Sequence, residues 1–280
     1  MTPLAAGNAR IKEARKLSRR SVRAERRLFL ADGPKAVAEA LSVPDCVVEV
    51  FATEAATGQY ADLEARSPRW TLVDDRAIAG LSDSVTPAGV VAVCRFVDVP
   101  LAEVLTPLVE VRGRPRPSLE TPAPTQGPRL VAVCADVRDP GNAGTVIRTA
   151  DAAGADAVVL AGSSVDAYNP KTVRATVGSL FHLPVATGGD PAAVVEAARG
   201  AGLTVLAADG DGETDLFEAD SLLAGPTAWL LGNEAWGLPA ELAALADHRV
   251  RIPILGRAES LNLSTAAAVC LYASARAQRG

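Results

Sequence analysis

Histidine is scarce in this chain of 280 residues: only His182 and His248 are present. Two imidazoles argue against a His-rich metal site and against a Ser/His/Asp triad, so no metal is expected and any chemistry must come from other groups. Cysteine offers no more. Cys46, Cys94, Cys134 and Cys270 lie at least 40 residues apart and form no CxxC pair, which excludes a disulfide framework and a zinc ribbon and leaves buried free thiols. No apolar run approaches the length of a membrane span, and the N-terminus carries arginines where a secretory signal would need an apolar stretch. No membrane association is expected, and the cytoplasm is the default location.

Apolar residues, in contrast, are plentiful: 49% of the chain is hydrophobic and 22% charged, enough for two compact domains. A net charge of −5 argues against nucleic acid as a partner until its distribution is considered. Residues 1–30 hold nine basic side chains against Glu13 and Glu25, a net of +7, which leaves −12 on the rest. The basic segment has helical composition, with Ile11, Ala14, Leu17 and Val22 as a thin apolar stripe, and it ends at Phe29-Leu30-Ala31-Asp32-Gly33-Pro34. Arg15, Lys16, Arg19, Arg20 and Arg23 are the candidate phosphate ligands; a solvated surface helix or an arginine-rich targeting peptide are the plainer alternatives.

Between about 35 and 97, short apolar strands such as 47–52 and 90–93 alternate with Ala-rich helical stretches, the pattern of a small α/β domain. Residues 1–110 are therefore expected to form an N-terminal domain. Residues 112–128, RGRPRPSLETPAPTQGP, hold five prolines and almost no apolar side chains, so 111–128 reads as an extended linker. Beyond it, over 129–280, strands at 130–134, 157–160, 203–207, 228–231 and 249–252 alternate with helices near 142–153, 190–201 and 262–278. Such alternation implies a mainly parallel sheet, whose ligands bind in the loops after the strands.

Three of those loops carry unusual residues. The first, Asp136-Val137-Arg138-Asp139-Pro140-Gly141-Asn142-Ala143-Gly144, offers Asn142 as a helix cap and leads to Arg148, a guanidinium expected to have an anionic partner. The second, Gly232-Asn233-Glu234-Ala235-Trp236-Gly237, brackets a carboxylate with glycines, and Glu234 is a candidate partner for Arg148. Ile252 to Ser264 forms the third, in which Ser260, Asn262 and Ser264 crowd a helix start beyond what capping alone requires. Each loop alone has a bland reading as a cap or a tight turn.

Together, in this order, the three segments resemble the motifs of the SpoU (TrmH-type) RNA 2'-O-ribose methyltransferases of the SPOUT superfamily. The resemblance covers 129–280, and the stretch around Lys16 to Leu41, with FLADGP, resembles that family's N-terminal substrate-binding domain. It implies an α/β fold with a trefoil knot, S-adenosylmethionine as cofactor, and a homodimer. It also implies that Asn142, Arg148, Glu234, Ser260 and Asn262 are catalytic, and that the cofactor sits against Leu231, Gly232, Ile252 and Leu261. Ribosomal RNA of the 23S type is the expected substrate, with transfer RNA the alternative.

Methyl transfer to a ribose hydroxyl requires that the hydroxyl lose its proton. The resemblance suggests Arg148 as the base, yet a free guanidinium holds its proton far above neutral pH. A phosphate-binding and polarising role for Arg148 is the alternative, with the other four residues orienting the reactants. Two further classes compete: a non-catalytic RNA-binding or ribosome-assembly protein, and a nucleotide-dependent oxidoreductase suggested only by Gly210-Asp211-Gly212, which lacks the third glycine of a dinucleotide fingerprint. Phe29, Tyr60 and Trp70 are candidates to stack on unpaired bases, though such residues more often belong to a core. The helix from Thr265 to Ala277 suits either an interface or a core.

Overall fold

The computed structural model describes residues 2–105 and 128–279 and divides into two compact units, one comprising 1–97 with 166–182 and the other 98–165 with 183–280. All of the expected linker except Pro128 lies outside the described residues, as do Arg112, Arg114 and Arg116.

The first unit is built on a four-stranded sheet in the order β1-β4-β2-β3, from β1 (Leu28–Asp32), β2 (Val47–Ala52), β3 (Trp70–Leu72) and β4 (Val90–Arg95). The basic arm is not one helix. It forms Ala9–Arg15, a 3-10 turn at Lys16–Ser18 and a second helix at Arg20–Arg26, which Arg27 ends in the left-handed conformation, φ +53°. Leu28 to Asp32 then pair with β4 as a strand, where the sequence had suggested only the end of a helical stretch. Ile11, Ala14 and Leu17 are buried as the stripe required and pack with Phe51, Ile78 and Leu81.

Phe29 is a core residue in the structure and no base-stacking platform. It is fully buried, with ring centroids at 4.7 Å from Tyr168 and 6.1 Å from Phe181, both supplied by the returning segment 166–182. Trp70 is half-buried and donates its indole N–H to Thr57 Oγ1.

Seven parallel strands form the sheet of the second unit: β5 (Leu130–Ala135), β6 (Ala157–Ala161), β7 (Val185–Thr187), β8 (Thr204–Ala208), β9 (Thr214–Asp215), β10 (Thr227–Leu231) and β11 (His248–Arg251). Every residue of β5, β6 and β10 is buried, as expected of parallel strands covered on both faces. The order is β7-β6-β5-β10-β8-β11-β9. Successive strands thus run outward from β5 on one side and lie beyond β10 on the other, so the strand order reverses between β5 and β10, where an open parallel sheet leaves a crevice at its carboxyl edge. Gly210-Asp211-Gly212 is a turn closed by the Gly212 N–H on Asp209 O at 3.0 Å.

The four thiols are all buried and free. Burial pushes Cys134 up to about 12, with the negative charge of Glu234 adding to it, and burial likewise raises Cys94 and Cys270. Only a thiolate reacts readily, so an aromatic disulfide reagent should label no cysteine of the native protein at mildly alkaline pH and all four after denaturation. Labelling of the native chain would contradict this packing.

Candidate active site

The loops after β5, β10 and β11 converge at the carboxyl edge of the sheet. Those after β5 and β10 leave side by side, because Leu231 and Cys134 are register partners. β11 stands two places beyond β10, so the loop 252–262 must cross the end of β8 to reach them.

Local geometry holds the first two loops together. Asp136 adopts φ +56°, a conformation that aspartate tolerates better than most side chains, and its carboxylate accepts the Ser163 N–H at 2.7 Å. Asn233, buried in the second loop, donates from Nδ2 to the Asp136 carbonyl at 2.7 Å and accepts the Ala235 N–H at 2.8 Å. The N–H groups of Asn233 and Gly237 each donate to the other's carbonyl at 2.9 Å, closing a tight loop. A Cβ on Gly232 would lie 2.3 Å from the Gly237 carbonyl carbon, so only glycine fits there.

Asp139, rather than Asn142, caps the helix Pro140–Ala153: its carboxylate accepts the Asn142 N–H at 2.8 Å. That exchange of roles frees the Asn142 side chain, one turn inside, to join the loops. Glu234 accepts the backbone N–H groups of Arg138 and Asp139 at 3.1 and 3.0 Å and the Asn142 Nδ2–H at 3.2 Å. Asn262 Nδ2 in turn donates to Asn142 Oδ1 at 3.1 Å. Asn262 is also the cap of the helix Leu263–Ala277, accepting from the Ser264 N–H and hydroxyl at 2.9 and 2.7 Å. One chain of hydrogen bonds, Glu234–Asn142–Asn262, therefore ties all three loops.

Burial opposes ionisation of Glu234, but the N–H groups of Arg138, Asp139 and Glu234 itself, with the Asn142 amide, outweigh it and hold the carboxyl below its ordinary value. Such a carboxylate is a poor proton acceptor and a good anchor. Its contribution is present in full above the ordinary carboxylate value, about 4.3, and is lost as the pH falls through the lowered folded value. Glu234→Gln should lower methyl-transfer activity by about 10- to 100-fold, since hydrogen bonds to a charged group contribute roughly 1.5–3 kcal/mol. The gap in melting temperature between wild type and Glu234→Gln should be constant near neutrality and close below about pH 4. A gap that persists in acid would mean that the carboxylate charge is not what holds the loops.

Arg148 does not pair with Glu234, whose acceptors are taken by the first loop. It is exposed, and among the described residues its side chain makes no ion pair or hydrogen bond, so the expected anionic partner is absent from these residues. Gly141 and Gly144, seven and four positions earlier, share its helix face and add no side chain along the row by which it leans toward the helix start.

Ser260 is exposed and stands outside the hydrogen-bonded chain. Among the proposed cofactor contacts, Leu231 is fully buried in β10, which leaves only its backbone available, whereas Gly232 is buried, Ile252 half-buried and Leu261 exposed. From 254 to 261 no backbone group makes a hydrogen bond among the described residues, and Ile254, Leu255 and Leu261 are exposed beside them. The helix Leu263–Ala277 buries Ala267, Cys270, Leu271, Ser274 and Ala275, with Ser274 Oγ accepting the Trp229 indole N–H at 2.9 Å, while Tyr272 stays exposed. Sequence reasoning missed Asn233, Asp136 and Asp139; an amide directly after a strand-ending glycine was the available signal for the first.

Arg15, Lys16, Arg19 and Arg20 of the first unit are exposed, Lys16 in a surface pair with Glu13. Arg23 is a correction. It is 2% exposed and pairs with Asp166 at 2.6 Å, and it donates to the carbonyls of Leu17 and Ser18 at 2.8 Å each, so it is a structural residue and no phosphate ligand. Among the described residues no group of three or more His, Cys, Asp or Glu could hold a metal ion, and no helix is long and apolar enough to cross a membrane.

Residues 129–272 match the SpoU rRNA Methylase family and residues 8–92 an MRM3-like substrate binding domain. The chain is similar to the 23S rRNA (guanosine(2553)-2'-O)-methyltransferase RlmP of Bacillus subtilis, 33% identical over 270 residues that span 95% of this chain and 96% of that protein. Of solved structures, it is similar to the AdoMet-bound rRNA methyltransferase from Sinorhizobium meliloti, with TM-score 0.78, 32% identity and coverage of 96% and 95% of the two chains. It is also similar to the SpoU methyltransferase AviRb from Streptomyces viridochromogenes in complex with AdoMet, with TM-score 0.79, 30% identity and coverage of 97% and 99%.

Proposed function

The chain belongs to the SpoU rRNA Methylase family, and from that premise we propose that it is an S-adenosylmethionine-dependent 2'-O-ribose methyltransferase acting on ribosomal RNA of the 23S type. The observation that carries the reading is the joining of three strand-end loops through Glu234, Asn142 and Asn262, with Arg148, whose side chain has no partner among the described residues, on the helix that those bonds fix. The names of the relatives favour ribosomal over transfer RNA.

The residues fit the cofactor. Backbone groups of 254–261 without hydrogen-bond partners among the described residues, beside the exposed Ile254 and Leu261, offer a purine both polar edges and apolar cover, and the ionised Glu234 suits a neighbouring sulfonium. When bound, S-adenosylmethionine supplies a methyl group on a positively charged sulfur. Backbone of Leu231 and Gly232, with Ile252 and Leu261, would hold it. Arg148 binds the phosphate beside the target ribose and stabilises the 2'-oxygen as its proton leaves to solvent; Asn142 and Asn262 orient that oxygen, and Ser260 acts with them. Glu234 keeps the loops in register.

The exposed Arg15, Lys16, Arg19 and Arg20 take RNA phosphates in the N-terminal substrate-binding domain, expected over 1–110, of which 1–97 pack as one unit with 166–182 while 98–105 pack with the other. The Pro-rich 111–128 connects it to a methyltransferase domain, 129–280, with a trefoil knot that dimerises and works in the cytoplasm. Incubation with methyl-labelled cofactor and separate pools of unmodified ribosomal and transfer RNA, followed by nucleoside analysis, tests the activity, and sedimentation tests the dimer. Label in a 2'-O-methylnucleoside of ribosomal RNA is expected. Label on a base, or only in transfer RNA, would overturn the assignment.

A further inference from the structure

At one end of the first unit's sheet, where β1 and β2 begin and β4 ends, lies a cavity of about 520 Å³ lined by Arg26, Arg27, Leu28, Val48, Arg95 and Phe96. Of the described residues that line it, three are arginines and none is acidic. The guanidinium fork matches the geometry of a phosphate, so arginines gathered around one space suit a ligand that carries one. Its volume is that of a small-ligand pocket, about 300–1,000 Å³.

The arginines are held in place. Arg27 takes a left-handed backbone conformation that L side chains other than Asn and Asp rarely adopt, φ +53°, and its carbonyl accepts the Phe96 N–H at 3.0 Å. Its guanidinium carbon lies 4.4 Å from the Phe96 ring centroid, and that ring stacks on Tyr168 with centroids 3.7 Å apart. Arg95, the register partner of Leu28, donates to the Asp45 carbonyl at 2.6 Å, and Arg26 pairs with Glu13 at 2.7 Å. A guanidinium already seated on a ring loses little freedom when it takes a ligand, and its plane suits a nucleobase. Leu28 and Val48 add an apolar floor.

We infer that this cavity is a subsite for one nucleotide of single-stranded RNA, with the phosphate taken by the arginines and the base lying against Arg27, Leu28 and Val48. The inference rests on RNA being the substrate. It assigns a role to residues beyond Arg15, Lys16, Arg19 and Arg20.

The test is binding of the full-length chain to an unmodified 23S ribosomal RNA transcript and to a short single-stranded RNA, titrated over a series of KCl concentrations. The variants are Arg27→Gln with Arg95→Gln, Arg95→Gln alone, and Arg76→Gln, an exposed arginine outside the cavity, as the charge control. The double variant should weaken binding about tenfold or more. It should also reduce the salt slope by about 1 for each phosphate that the protein no longer neutralises, with little change in the control. If the double variant melts early, Arg95→Gln alone decides. Wild-type affinity and slope in the cavity variants, or a weakening no greater than in Arg76→Gln, would overturn the inference and leave the methyltransferase reading intact. So would a free nucleoside monophosphate that binds the cavity while RNA binding ignores the substitutions. A wild-type chain that binds neither RNA would overturn both.

Discussion

Arg148→Ala is expected to lower the turnover of methyl transfer by roughly 10²- to 10⁴-fold, the range associated with a missing proton-transfer or charge-stabilising group. Cofactor affinity should stay at the wild-type value, because Arg148 takes no part in the hydrogen bonds that hold the three loops. An exposed guanidinium without a partner among the described residues contributes little to stability, so the melting temperature should also hold. Rates measured over a series of RNA concentrations, from well below to saturating, separate the two ways in which it could act. A change confined to the Michaelis constant would make Arg148 a ground-state phosphate ligand, whereas a fall in turnover places its work at the transition state. Arg148→Lys keeps the charge and loses the planar fork, and should recover only part of the rate. Full activity in Arg148→Ala would remove it from the mechanism.

Arg23→Ala should be the most destabilising substitution in the basic arm, by about 3–5 kcal/mol, because it strands a carboxylate that the fold has largely withdrawn from water. Asp166 Oδ2 accepts both Arg23 Nε at 2.9 Å and Nη2 at 2.6 Å, and the remaining donors satisfy the carbonyls of Leu17 and Ser18. Replacing the pair together, Arg23→Met with Asp166→Leu, should return much of the stability, since an apolar pair leaves no charge uncompensated. Thermal unfolding of the single and paired variants measures both effects. A stable Arg23→Ala with weakened RNA binding would instead restore Arg23 to the phosphate ligands.

Why Arg23 misleads is physical. Nine basic residues in a row of thirty look equivalent in composition, and only the partner at position 166 tells one from the rest. Periodicity located most strands of the parallel sheet to within a residue, because their uninterrupted apolar runs follow from burial on both faces. β1 was hidden, since Leu28 to Asp32 continues a helical composition and is a strand only through its pairing with β4. β9, two residues long, carries no pattern at all. At the site, the sequence brought out the correct loops and the wrong bonds: Glu234 and Arg148 have opposite charge, but two backbone amides and an asparagine outcompete the guanidinium for the carboxylate. Asn142 and Asp139 exchanged the cap for the same kind of reason, both being good caps and Asp139 standing directly before the proline at the first helical position.

The returning segment 166–182 bears on how the chain matures. A ribosome has released all four strands of the first unit once residue 95 is out, yet Asp166, Tyr168 and Phe181 emerge only after β5 and β6 of the other unit have been made. Until then Arg23 is a bare cation in an unfinished interior, and Phe29 lacks two of its aromatic neighbours. The first unit therefore depends on partners distant in sequence, which slows closure and delays its completion beyond the usual order of N-terminal units first. Inheritance is constrained in the same way: recombination that exchanged the N-terminal ninety-odd residues alone would leave the acceptor's 166–182 facing a foreign core.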